Sequence, residues 1–190
     1  KGRLKVLEEL THDGANMPGV VGIGHTRWAT HGEPSDINAH PQYNKDKTIA
    51  VVHNGIIENY QKIKDKLTAK GYKFISETDT ESVAQLLDYY YEGNPLEAII
   101  KVMQRIEGSY SLGILFADHP DKVYAARKDS PLVAGIADDG SYIASDVTAI
   151  LKHTRDVYYI DNQEIACLTK EGITFFNMDG EPVHKESKHI

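Results

Sequence analysis

The order of apolar and polar positions divides the chain into a first half with helical spacing and a second half with alternating spacing. Leu4, Val6, Leu7 and Leu10 share a helical face over residues 1–10, and Gly2 near the start offers no cap. Residues 20–25 and 48–53 are short β-branched runs that stop where polar and glycine residues take over, which predicts two buried strands feeding loops. After Asn54-Gly55, the side chains of Ile56, Ile57, Tyr60, Ile63 and Leu67 fall on one face of a helix expected over residues 56–70, with Gly71 as its C-terminal cap. Thr78 and Glu81 have the spacing of a capping box ahead of Val83, Leu86, Leu87 and Tyr90, and the helix they open is expected to end near Gly93. Asn94-Pro95-Leu96-Glu97 opens a further helix, with asparagine as N-cap and proline at the first helical position, expected to stop at Gly108.

From Ser109 onward the period changes. Strands are expected at residues 110–117, 122–127, 132–137, 142–145, 157–160, 164–168 and 173–177. His119-Pro120-Asp121, Asp138-Asp139-Gly140, Asp161-Asn162 and Asp179-Gly180 supply turns between them. Helices gathered in one half and antiparallel strands in the other predict an α+β chain in which helices cover a sheet face.

Composition narrows the function classes. A chain of 190 residues, 41% hydrophobic, suits one domain with a substantial core and is short for two, so residues 1–190 are read as a single domain. A formal net charge of -7 disfavours nucleic acid as a partner, because a phosphate backbone needs a basic face. No apolar run approaches the roughly 20 residues that cross a bilayer, and no basic-then-apolar leader opens the chain, so no membrane is expected and a cytoplasmic location is. The single cysteine, Cys167, sits in an alternating stretch and reads as an inert strand thiol.

The densest polar cluster runs from His25 through Thr26, Arg27, Trp28, Thr30 and His31 to Glu33-Pro34, and continues at Asn38-Ala39-His40-Pro41. It offers a guanidinium for bidentate carboxylate binding, hydroxyl and imidazole groups for orientation, and an indole that can shut a pocket against water; an ordinary surface loop accounts for it equally well. In His53-Asn54-Gly55, a side-chain amide and a glycine N–H at the end of a strand can aim two donors at one developing oxyanion. Asn-Gly is also the strongest short hairpin signal, but a helical pattern follows it, leaving a hairpin without its return strand. Asp79 stands at a helix entry, where capping alone explains a carboxylate. If it faced the arginine loop, Arg27 and Asp79 would together grip the carboxylate and the ammonium of an α-amino acid. Four of the 9 histidines, His25, His31, His40 and His53, lie close in sequence, but their spacings match no common zinc pattern and no metal is expected.

His25-Thr26-Arg27-Trp28-Ala29-Thr30-His31-Gly32, His53-Asn54-Gly55-Ile56-Ile57-Glu58-Asn59 and Ser76-Glu77-Thr78-Asp79-Thr80-Glu81 together resemble the class II glutamine amidotransferases. Ala125-Ala126-Arg127-Lys128-Asp129-Ser130-Pro131-Leu132-Val133 and Ile143-Ala144-Ser145-Asp146 extend the likeness over nearly the whole chain. The Trp-Ala-Thr-His-Gly continuation points to the branch that passes ammonia to fructose 6-phosphate to make glucosamine 6-phosphate. The resemblance implies the N-terminal-nucleophile hydrolase fold, a four-layer αββα sandwich of antiparallel sheets. It also implies a glutaminase domain that here lacks the N-terminal cysteine segment and is inactive alone. In that family an N-terminal cysteine attacks the side-chain amide of glutamine, its α-amino group serves as base, and a thioester is hydrolysed to glutamate. Carried over by motif, Asn54 and the Gly55 N–H would form the oxyanion hole, Arg27 would hold the α-carboxylate and Asp79 the α-amino group. Thr30 and His31 would line the pocket, and Trp28 would gate the ammonia channel. The implied partners are glutamine or glutamate and the sugar isomerase domains of a homo-oligomeric parent, with no cofactor. Two other readings fit the same letters: a non-catalytic amino-acid-binding module, and an amidotransferase with a different acceptor.

Overall fold

A computed structural model describes residues 2–190, so the first residue of the expected 1–10 helix lies outside the described residues. Helix α1 (Leu4–Thr11) forms on the anticipated face but buries none of its side chains. It is followed by strands β1 (Gln42–Tyr43) and β2 (Ile49–Ile57), then by helices α2 (Tyr60–Thr68), α3 (Asp79–Tyr90) and α4 (Pro95–Met103). The strands β3 (Gly108–Phe116), β4 (Val123–Lys128), β5 (Val133–Ala137) and β6 (Gly140–Ala144) come next. A 3₁₀ turn (Val147–Ala149) leads into β7 (Asp156–Tyr159), β8 (Glu164–Leu168), β9 (Ile173–Phe176), β10 (Pro182–Val183) and β11 (Lys188–His189).

The strands build two antiparallel sheets, one of seven strands in the order β1-β2-β3-β4-β8-β9-β10 and one of four in the order β11-β7-β5-β6. Helices α2 to α4 cover one face of the larger sheet, where Ile63, Leu67, Val83, Leu87, Ile99 and Val102 pack against Val51, Leu112, Ile114 and Phe116. Each such buried side chain contributes roughly 1.5–3 kcal/mol relative to exposure. The second face meets the smaller sheet through Ala125, Ala166 and Phe175 on one side and Leu132, Ala134 and Ile160 on the other. Beyond the smaller sheet, Ile150 and Thr154 lie over Gly135 and close its outer face.

The helix starts follow their caps. Thr78 accepts the Glu81 N–H at 3.3 Å, but the Glu81 carboxylate accepts the N–H groups of Ile75 and Ser76 in place of completing the box. Asn94 accepts the Glu97 N–H at 3.3 Å, with Pro95 in the first turn as expected. Three expectations change. Residues 20–25 form no strand and belong to no sheet among the described residues. Ile56 and Ile57 continue β2, so the helix expected from residue 56 starts at Tyr60. The helix expected to reach Gly108 ends at Met103, because Gly108 already opens β3.

Asn54-Gly55 therefore lies inside a paired strand and makes no hairpin. Gly55 has φ +118° and pairs with Tyr110, and the carbonyl oxygen of the preceding Ser109 would be 2.0 Å from an added Cβ. Gly108, at φ +117°, meets the Ile56 carbonyl oxygen at 2.1 Å in the same sense. Only glycine lets β2 and β3 approach this closely with these backbone angles.

Candidate functional site

A cavity of about 320 Å³ opens where the loop of residues 25–31, the far end of β2 and the start of α3 converge. Arg27, Trp28, Thr30, His31, Asn54, Gly55 and Asp79 all line it, so the candidate residues from three separated motifs share one space. His25, His40, His53 and Thr80 line it as well; the sequence placed them inside the motifs but gave none of them an individual role. The closeness of the three histidines in sequence was a usable sign; it was read as general orienting groups and as a metal pattern.

Asp79 is the first residue of α3, where unpaired helix N–H groups and the helix dipole stabilise a carboxylate. It is only 3% exposed, and its Oδ2 accepts the Ile57 N–H at 2.8 Å, which ties α3 to the end of β2. Its Oδ1 is 3.9 Å from His31 Nδ1, beyond hydrogen-bond distance, and no donor reaches Oδ1 among the described residues. One carboxylate oxygen is thus structural, and the residue lines the cavity.

Arg27 binds its own loop. Its Nη2 donates to the carbonyls of His31 and, at 2.9 Å, Gly32. Its Nη1 donates to the Glu33 carbonyl at 3.5 Å, and no hydrogen bond of its Nε–H occurs among the described residues. Asn38, almost wholly buried, joins this loop to α3: its amide donates to the Glu33 carbonyl and the Glu77 carboxylate at 3.0 Å each, and its oxygen accepts the Glu77 N–H at 2.9 Å. Gly32, at φ +77°, leaves room for that bracket, since a Cβ there would meet the Asn38 amide nitrogen at 2.6 Å. The Trp28 side chain is 90% exposed at the cavity mouth.

Under the cavity, the Thr80 hydroxyl lies 2.9 Å from His40 Nε2 and 3.0 Å from His53 Nδ1, so it donates to one imidazole and accepts from the other. Burial pushes the His53 pKa down to about 4, against the opposing pull of Asp79 and with the help of His25 and His31. Burial also pushes His40 down to about 4, with His25, His53 and Arg27 acting in the same direction. Both rings are neutral at neutral pH. Because the unfolded chain takes up these protons near pH 6.5 and the folded one only near pH 4, the stability they confer is complete above about pH 6.5 and is lost as pH falls towards about 4. His53 alone is expected to account for a loss on the order of 3 kcal/mol across that window. Urea unfolding at neutral and at acidic pH measures this, and His53→Gln should flatten the dependence.

No cluster of ligating side chains suited to a metal occurs among the described residues. Cys167 lies in β8, away from the cavity lining, and burial pushes its thiol up, so it is a poor nucleophile. No helix among the described residues is long and apolar enough to cross a membrane.

The family described as "Glutamine amidotransferase domain" matches residues 25–152. The chain is 59% identical over its whole length to a glutamine–fructose-6-phosphate aminotransferase (isomerizing) of Clostridium acetobutylicum, covering 31% of that protein. It is 51% identical to the enzyme of the same name from Clostridium tetani, again over its whole length and 31% of the relative. The chain thus spans about a third of the length of the curated relatives it matches. Among solved structures, glutamine phosphoribosylpyrophosphate amidotransferase from B. subtilis superposes with a TM-score of 0.67 at 21% identity, over 83% of this chain and 35% of that one. This likeness is one of fold: the two-sheet α+β arrangement is shared with that amidotransferase.

Proposed function

The chain belongs to the glutamine amidotransferase family, and on that footing we propose that its cavity holds glutamine while the side-chain amide is hydrolysed to glutamate and ammonia. The observation that carries this reading is the meeting of an amide, a guanidinium and a buried carboxylate, from Asn54, Arg27 and Asp79, around about 320 Å³. That volume is at the small end of ligand pockets and suits one amino acid.

The chemistry divides between the two ends of the substrate. Asp79 Oδ1 pairs with the α-ammonium, and the two N–H groups of Arg27 that its own loop leaves unused take the α-carboxylate. Thr30 and His31 fill the wall between them. At the other end, the Asn54 amide and the Gly55 N–H receive the negative charge that grows on the amide oxygen as it becomes tetrahedral. No cysteine of this chain lines the cavity, and residues 1–190 supply the groups that bind and polarise the substrate. Trp28 closes the mouth when substrate is bound and directs ammonia inward. The acceptor is fructose 6-phosphate, held by sugar isomerase domains of the same homo-oligomeric parent, and the product is glucosamine 6-phosphate; the names of the relatives support this step.

Isothermal titration of the full-length gene product with glutamate, alongside an assay of ammonia release from glutamine, tests the reading. Saturable glutamate binding with ammonia release is expected. Binding without release would select a non-catalytic amino-acid module, and release without glucosamine 6-phosphate a different acceptor. Neither binding nor release at millimolar ligand would end the proposal.

A further inference from the structure

An oxyanion donor is useful only if its amide points the right way. Asn54 can present either its N–H₂ or its carbonyl oxygen to the cavity by a half-turn of the amide, and the second choice would repel the charge the first one stabilises. His25 Nε2 lies 2.6 Å from Asn54 Oδ1. We infer that His25 is a positioning residue that fixes this choice: its Nε2–H holds the Asn54 oxygen and so keeps the amide nitrogen turned to the substrate. The inference rests on the glutaminase reading above.

Three observations carry it. A carbonyl oxygen only accepts, so the contact requires a proton on Nε2; a neutral ring then leaves Nδ1 bare. His25 Nδ1 is buried with no partner, which a lone pair tolerates better than an N–H would. The reversed amide would need the other tautomer and would strand a buried N–H. Finally, the ring is held in place: it stacks on His40 with centroids 4.9 Å apart and 26° between planes, and His40 is fixed in turn by Thr80, which is fully buried at the start of α3. The Asn54 amide nitrogen has no partner among the described residues and stays available. The helix that supplies Asp79 for one end of the substrate thus also orients, through Thr80, His40 and His25, the donor for the other end.

The test is kinetic and uses the full-length gene product. His25→Phe keeps a stacking ring and removes the donor; His25→Asn is too short to reach and serves if the first variant fails to fold. Removing an oxyanion donor outright lowers turnover by roughly 10²–10³-fold, so losing only its orientation should lower kcat for glutamine by about 10- to 100-fold, with KM within about twofold. In an Asn54→Ala background the same changes should have no further effect, because His25 acts through Asn54. His25→Gln, whose amide nitrogen stands near the place of Nε2, should restore most of the lost kcat. An unchanged kcat, an equal loss in the Asn54→Ala background, a rise in KM at constant kcat, or a glutamine variant as poor as the phenylalanine one would each overturn the inference. A parent protein that releases no ammonia at all would instead sink the glutaminase reading itself.

Discussion

Replacing Asn54 by alanine is expected to slow glutamine turnover by roughly 10²–10³-fold, equivalent to about 3–4 kcal/mol, while KM for glutamine changes little. The split follows from where the amide acts. In the ground state the substrate carbonyl is neutral and gains little from one extra donor; in the tetrahedral state it carries a full charge inside a cavity with little water. An interaction realised only at the transition state appears in kcat. The effect is isolated because Asn54 is exposed at the cavity and its side chain, among the described residues, is bonded to His25 alone, so alanine keeps the backbone ladder and the fold loses no buried side-chain contact. Steady-state ammonia release by the full-length variant is the measurement. A rise in KM with kcat intact would show that Asn54 binds the substrate and does not stabilise the oxyanion.

Asp79→Asn is expected to act at the opposite end of the substrate and on the opposite parameter. The carboxamide keeps an oxygen for the Ile57 N–H, so the link between α3 and β2 survives, but the charge facing the α-ammonium is gone. Removing one partner of a buried charge pair costs about 2–5 kcal/mol, which corresponds to a rise in KM and in the glutamate Kd on the order of a hundredfold. Turnover at saturation should fall much less. Titration with glutamate reads the affinity directly, and a melting curve shows whether the capped helix start is intact. If the affinity is unchanged in a folded variant, the ammonium lies elsewhere.

Most strands between β3 and β9 were legible because alternation and turn residues are local properties. Residues 56 and 57 were not, since two adjacent isoleucines fit the end of a strand and the start of a helix equally well. The run at 20–25 has the β-branched composition of a strand, but a ladder needs a partner, and composition does not supply one. The two-residue strands β1, β10 and β11 are too short to show any period. Within the cavity, Arg27, Asn54 and Asp79 could be singled out from their motifs, because each residue type suggests its own chemistry. The particular roles of His25, His40, His53 and Thr80 could not be read, since their partners lie 27 to 40 positions away in the chain. A tautomer or an amide orientation is decided by such a neighbour and leaves no mark on the residue itself.

The glycines at 55 and 108, on the paired strands β2 and β3, set a boundary on how this pocket can be altered by mutation. Each is opposed by main-chain carbonyl oxygen, which no compensating exchange of side chains can move aside. Variation of ligand preference therefore has room in the arginine loop and at the mouth, whereas the floor beside Asn54 is written in the path of the backbone and is closed to redesign by single substitutions.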